Sequence, residues 1–163
     1  MHHRGVAAVS ILTPLEREFL SVARRAILAT VDGDGLPRLV PICFVLGDPM
    51  AALRLYTPLD DKPKRSADPH ELERVRDIVA RPDVSILVDR WSEDWSRLGW
   101  LRLYGRAELL EASAASVRPE HAAAVAALRE KYPQYATHRL EARPIIAITV
   151  ERRRSWGDLT ADP

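Results

Sequence analysis

Residues 26–46, AILATVDGDGLPRLVPICFVL, and residues 53–65, LRLYTPLDDKPKR, decide the fold of this chain. Two apolar runs flank Asp32-Gly33-Asp34-Gly35, whose glycines permit the positive φ that a tight hairpin turn requires. A third strand, near 53–57, runs into a loop carrying Lys62, Lys64 and Arg65. Arginine supplies 21 of the 24 basic residues, and two of the three lysines fall in the tetrapeptide KPKR at 62–65. A strand end that brings the Thr57 hydroxyl and three cations together is suited to holding a phosphate, and Pro63 stiffens the loop between the lysines. Charge alone would equally describe a solvated basic loop.

Outward from this stretch, Thr13-Pro14-Leu15-Glu16 reads as a helix start: Thr as cap, Pro at the first helical position, Glu closing a capping box. Leu15, Phe19 and Val22 recur at helical spacing and predict one buried stripe. Strands are predicted near 26–31, 36–46 and 53–57. Asp68-Pro69-His70-Glu71 repeats the start signal, with Leu72, Val75, Ile78 and Val79 lining a second helix. VSILVD at 84–89 is a fourth strand, and the tract WSEDWSRLGW at 91–100 interrupts the pattern before a fifth, Trp100 to Leu110. An alanine-rich helix over 119–132 precedes a last strand, IIAITV at 145–150, with Arg152 to Arg154 as an exposed strand end. Six strands and few helices favour a mainly β, closed antiparallel barrel spanning residues 1–163 as one domain. No glycine-rich strand-to-helix turn is present, which disfavours a Rossmann or P-loop site.

Composition narrows the partners. Hydrophobic residues make up 47% and charged residues 29% of 163, with net charge +1, so no global field favours nucleic acid or a membrane. The tracts around Arg152 to Arg154 show no aromatic-interleaved basic face, and nucleic acid is not expected. Cys43, the single cysteine, excludes an internal disulfide and fits a reducing, cytoplasmic compartment; between Ile42 and Phe44 it reads as an inert core thiol. Asp32 and Asp34 are explained by turn chemistry, and His70, His121 and His138 lack metal-ligand spacing, so no metal is expected. Ser85 and Ser96 sit in no nucleophile elbow, and no catalytic acid, base or nucleophile stands out.

The order of these elements, with ILATVDGDGLPRLVPICF, YTPLDDKPKR, RPDVSILVD, DWSRLGWLRLYGRAEL and IIAITV over roughly residues 14–157, resembles the pyridoxamine-phosphate-oxidase-like split β-barrels. KPKR with EDWSR and WLR is similar to the branch that uses the deazaflavin coenzyme F420 in place of FMN. The resemblance implies a six-stranded split barrel of FMN-binding type, a homodimer with two coenzymes in grooves between subunits, and hydride transfer to a small or conjugated organic molecule. It places Val40, Pro41 and Ile42 along the coenzyme ring, and Thr57, Lys62, Pro63, Lys64 and Arg65 at its phosphate. FMN is the alternative coenzyme, and a non-catalytic coenzyme carrier or a dimerisation module the alternative role. F420 has a longer anionic tail, for which Arg74 and Arg76 on the second helix are candidates. Trp100 is expected beside the coenzyme and Trp91 and Trp95 on the substrate side. The family's enzyme that oxidises pyridoxamine phosphate itself reads its substrate phosphate with residues including an Arg-x-His near the C-terminus, whereas this chain has RRRSWG, which argues against that substrate.

Overall fold

The computed structural model describes residues 11–59 and 68–161. Elements follow as α1 (Pro14–Val22), β1 (Ala26–Val31), β2 (Pro37–Ile42), β3 (Val45–Leu46), β4 (Arg54–Pro58), α2 (Glu73–Ala80), β5 (Asp83–Arg90), β6 (Gly99–Leu110), α3 (Arg118–Lys131) and β7 (Ile145–Gly157). All seven strands join one antiparallel sheet in the order β2-β1-β5-β6-β7-β4-β3. Its two edge strands, β2 and β3, are separated in the chain by Cys43 and Phe44 alone. Three residue steps reach at most about 10 Å, so the sheet must curl until its edges approach each other. The result is a curled, mainly β half-barrel with helices at its margins.

Alternation along the strands sorts side chains to the two faces. In β6, Leu101, Leu103 and Ala107 turn inward while Trp100, Arg102, Tyr104 and Arg106 turn outward. The inner face packs Leu28, Phe44, Leu55, Ile86, Leu101 and Ile148 into the main core. A second cluster, including Tyr56, Val125, Leu128, Tyr132 and Ile145, seats α3 against β3 and β4. Gly35 takes φ +87° in the β1–β2 turn, as the hairpin reading required. Gly105 marks a register shift between β6 and β7, and a Cβ there would lie 2.2 Å from the Thr149 carbonyl oxygen. Only glycine lets the two long strands touch at this irregularity.

Several expectations are corrected. The run 36–46 divides at Cys43-Phe44, giving seven strands instead of six. The last strand runs on through the arginine triplet to Gly157, because residues 152–157 continue to pair with β6. Leu15 and Val22 are exposed; α1 buries Glu16, Phe19 and Leu20, and Leu12 just ahead of it is also buried. Glu16 completes the capping box, accepts from Ser155 Oγ at 2.8 Å, and lies 2.7 Å from Arg153 Nε, which ties α1 to β7. Burial works to raise the Glu16 pKa, but hydrogen bonds from Thr13 and Ser155 and the charge of Arg153 bring it below the ordinary carboxylate value. Leu72 precedes α2 and Val79 is exposed, while Val75, Ile78 and Asp77 form the buried face. Cys43 is half-buried at the seam between β2 and β3, not a fully enclosed core thiol.

Candidate functional site

Outward-facing residues of five strands line up in two rows. One row is Pro41–Ile27–Leu87–Arg102–Arg154, and the next is Leu39–Ala29–Ser85–Tyr104–Arg152. Beyond the first row, Trp100 faces Trp156 across β6 and β7, with Asp89 on its other side. The β6–β7 pair therefore presents a ladder of three rungs: Trp100/Trp156, Arg102/Arg154 and Tyr104/Arg152. Guanidinium groups stack on its rings: Arg102 lies 4.8 Å from the Trp100 centroid and Arg152 3.9 Å from the Tyr104 centroid.

This face is a shallow trough. A depression of about 680 Å³ is lined chiefly by Ile27, Ala29, Leu39, Leu87, Trp100 and Arg102. A second, about 450 Å³, shares Ala29 and Ser85 with it and continues to Tyr104, Glu151 and Arg152. Leu39 is 68% exposed and Trp156 56% exposed, so the apolar floor is open. At its rim β2 is an edge strand whose outer side has no ladder partner among the described residues. An apolar floor beside free backbone donors and acceptors fits a flat heteroaromatic ring, which needs stacking surface and hydrogen bonds at its edge.

Buried polar contacts hold that rim in place. Asp77 on α2 is 7% exposed and accepts from Thr30 Oγ1 at 2.8 Å and from Arg38 Nε at 2.9 Å. Arg38 also donates to Glu73 at 2.7 Å, so β1 and β2 are both clamped to α2. Elsewhere, His70 bridges Asp68 and Glu111 at 2.9 and 2.7 Å, and its hydrogen bonds to Glu111 and Asp68 raise its pKa. Burial, with the hydrogen bond from its hydroxyl to Glu120 at 2.6 Å, pushes the Tyr56 phenol up to about 12. Burial and the nearby Arg24 lower Lys131 to about 8.

The anticipated residues divide into three groups. Trp100 lines the larger depression, with Pro41 on the same face of β2. Val40 and Ile42 turn their side chains toward the core, so their contribution to a ring would be backbone. Thr57 is 2% exposed in β4, three residues before the undescribed segment, and Arg76 is exposed on α2. Trp91 and Trp95, 70% and 74% exposed, lie in the β5–β6 connection outside the lining of the depression. Lys62, Pro63, Lys64 and Arg65 lie outside the described residues. The ladder of Arg102, Arg152 and Arg154 with Trp156 was missed: an aromatic-interleaved basic face is present. Its signal was the period-2 spacing in both WLRLY and RRRSW, which becomes visible only when the two segments are set in register. Among the described residues no group of three or more His, Cys, Asp and Glu could hold a metal ion, and no helix is long and apolar enough to cross a membrane.

The sequence pattern of pyridoxamine 5'-phosphate oxidase matches residues 12–157. No curated protein matches the chain. Among solved structures, a conserved hypothetical protein, Rv2991 of Mycobacterium tuberculosis, is similar with TM-score 0.65 and 19% identity, covering 92% of this chain and 88% of that one. An FAD-binding protein of Mesorhizobium loti gives TM-score 0.60 and 23% identity, covering 88% and 94%. The haem-storage protein HutZ of Vibrio cholerae gives TM-score 0.61 and 17% identity, covering 90% and 94%. At these identities the likenesses show the shared fold.

Proposed function

Because the chain belongs to the pyridoxamine 5'-phosphate oxidase family, we propose that it is an oxidoreductase holding a flavin-type coenzyme, with F420 the first candidate and FMN the second. The observation that carries this reading is the ring-sized apolar depression beside the unpaired edge of β2. When bound, such a coenzyme exchanges a hydride with an electron-poor carbon of a small or conjugated organic molecule. The chain's own groups position and enclose. Backbone groups of Val40 to Ile42 meet the ring edge, and Ile27, Leu87 and Trp100 form the apolar surface beneath it. The cations of KPKR, with Arg76 extending them, are assigned to the anionic tail. F420 is favoured by the residue resemblance of KPKR, EDWSR and WLR; a flavin in general is favoured by the family and by the FAD-binding relative.

A homodimer belongs to the same reading. An open sheet face bearing Leu39 beside the apolar floor of Ile27, Ala29 and Leu87 is costly to leave in water, and a second copy would cover part of it while completing the groove. Cytoplasmic residence is proposed from the single, reduced cysteine. Vitamin B6 oxidation is not proposed, since RRRSWG lacks the expected histidine.

Titration of the purified protein with F420, FMN and FAD, followed by fluorescence, tests the reading. Saturable quenching by F420 at one per chain supports it. Saturation by FMN or FAD alone moves the assignment to that flavin, and no binding of any leaves a dimerisation module. Tight binding with no turnover over enones and quinones would make the chain a carrier.

A further inference from the structure

Three arginines on the ladder have no carboxylate partner among the described residues: Arg102, Arg152 and Arg154. This contrasts with their neighbours, since Arg106 pairs with Asp83, Arg153 with Glu16 and Arg90 with Asp158. Arg102 and Arg154 are directly opposed Cα partners. Like charges in that position repel and weaken an antiparallel pair unless something negative lies between them. Stacking on Trp100 eases the charge of Arg102, and Arg152 rests on Tyr104, but among the described residues no ring lies over Arg154.

The surroundings restrict what could neutralise the pair. Asp89 sits beyond it at the Trp100 end, and Glu151 beyond it at the Tyr104 end, each lining one of the two depressions. A long polyanion running down the ladder would meet both acids. A single anionic group centred on Arg102 and Arg154 spans their rung alone, one rung away from the Asp89–Trp100–Trp156 row. The same spot adjoins the exposed ring of Trp156, which offers stacking surface to an attached ring beside the coenzyme's floor of Ile27, Leu87 and Trp100. Guanidinium forks also suit a planar carboxylate in bidentate geometry, as ammonium groups would not.

We propose that the Arg102–Arg154 pair, beside Trp156, is the specificity element for a planar aromatic substrate bearing a carboxylate, the ring stacking on Trp156 and the carboxylate bridging the two guanidinium groups. The proposal rests on the coenzyme reading only in naming this ligand a substrate.

Calorimetric titration of the full chain, without coenzyme, by 2-naphthoate and by its neutral counterpart 2-naphthamide tests it. Binding of the naphthoate at least tenfold tighter than the amide is expected. Arg102→Gln and Arg154→Gln should each remove most of that preference while leaving the amide affinity within twofold, and Arg102→Lys should restore part of it. Equal affinity for the two probes, no naphthoate binding at millimolar concentration, or a preference that survives in the double variant overturns the proposal. So does sedimentation showing that either variant dissociates an oligomer, because the arginines would then be meeting the acids of a second copy. Coenzyme titrations are scored separately. Charge preference without coenzyme binding keeps the ladder and sinks the oxidoreductase reading, and the reverse result does the opposite.

Discussion

Replacing Asp77 with alanine removes the clamp that holds the rim of the trough to α2. Its carboxylate is buried and accepts two hydrogen bonds, from Thr30 at 2.8 Å and Arg38 at 2.9 Å. Thr30 is 1% exposed, so its hydroxyl has no water to turn to, and an orphaned buried hydroxyl costs about 1–3 kcal/mol. Arg38 is one-third exposed and keeps Glu73 at 2.7 Å, so solvent and its remaining partner offset its loss. The orphaned hydroxyl therefore sets the cost at about 1–3 kcal/mol. For a chain of this size each kcal/mol lowers Tm by about 2–4 °C, so a fall of roughly 2–12 °C is expected by calorimetry. Asp77→Asn keeps an acceptor for Thr30 and should lose about half as much. Thr30→Val combined with Asp77→Ala should cost less than the sum of the two singles, because the shared bond is counted once. Coenzyme affinity should fall with stability, since β2 is no longer pinned. A change below about 0.5 kcal/mol for Asp77→Ala would refute the clamp.

Other consequences are checked as directly. Gly105→Ala forces a Cβ against the Thr149 backbone at 2.2 Å, and should either abolish folding or lower the urea midpoint sharply; an unchanged midpoint would mean the two strands are not in contact there. Lys62→Ala with Lys64→Ala should weaken coenzyme binding more than tenfold with the circular dichroism spectrum intact, and unchanged affinity would remove the phosphate assignment. Lys131 loses its proton near pH 8 when folded and near 10.5 when unfolded, so the unfolded chain binds more protons between these values and stability rises with pH there; Lys131→Met should flatten that rise in denaturation series. Tyr56 carries the opposite sign: above pH 10 the unfolded phenol ionises while the folded one, held to about 12, does not, so stability falls, and Tyr56→Phe should remove that fall. The His70 bridge, with its raised pKa, contributes fully below about pH 6.5 and is lost as pH climbs through the folded value; His70→Asn should abolish that dependence in the melting temperature.

Much of the architecture was legible because local chemistry and period 2 act within a few residues. The Asp-Gly-Asp-Gly turn with Gly35 at positive φ, the Thr13–Glu16 capping box and the alternation of WLRLYGR all appear where the residues indicated. The α1 stripe was misjudged because Glu16, usually a surface residue, is buried by its bonds to Ser155 and to Arg153, partners more than a hundred residues away. The strand after Val150 was cut short because three consecutive arginines look solvated, whereas β6 pairs with them one by one.

Sequence alone therefore determined which residues point to the same side of each strand, since alternation is a property of the extended backbone. It determined the hairpin, the Thr13–Glu16 helix start and the family, whereas the Asp68 start signal caps a short 3-10 turn, Pro69–Glu71, ahead of α2. Only the tertiary structure decided that Arg102 stands opposite Arg154 and Trp100 opposite Trp156. Cross-strand register is set by pairing between segments about fifty residues apart and by the irregularity at Gly105, and no local pattern encodes either.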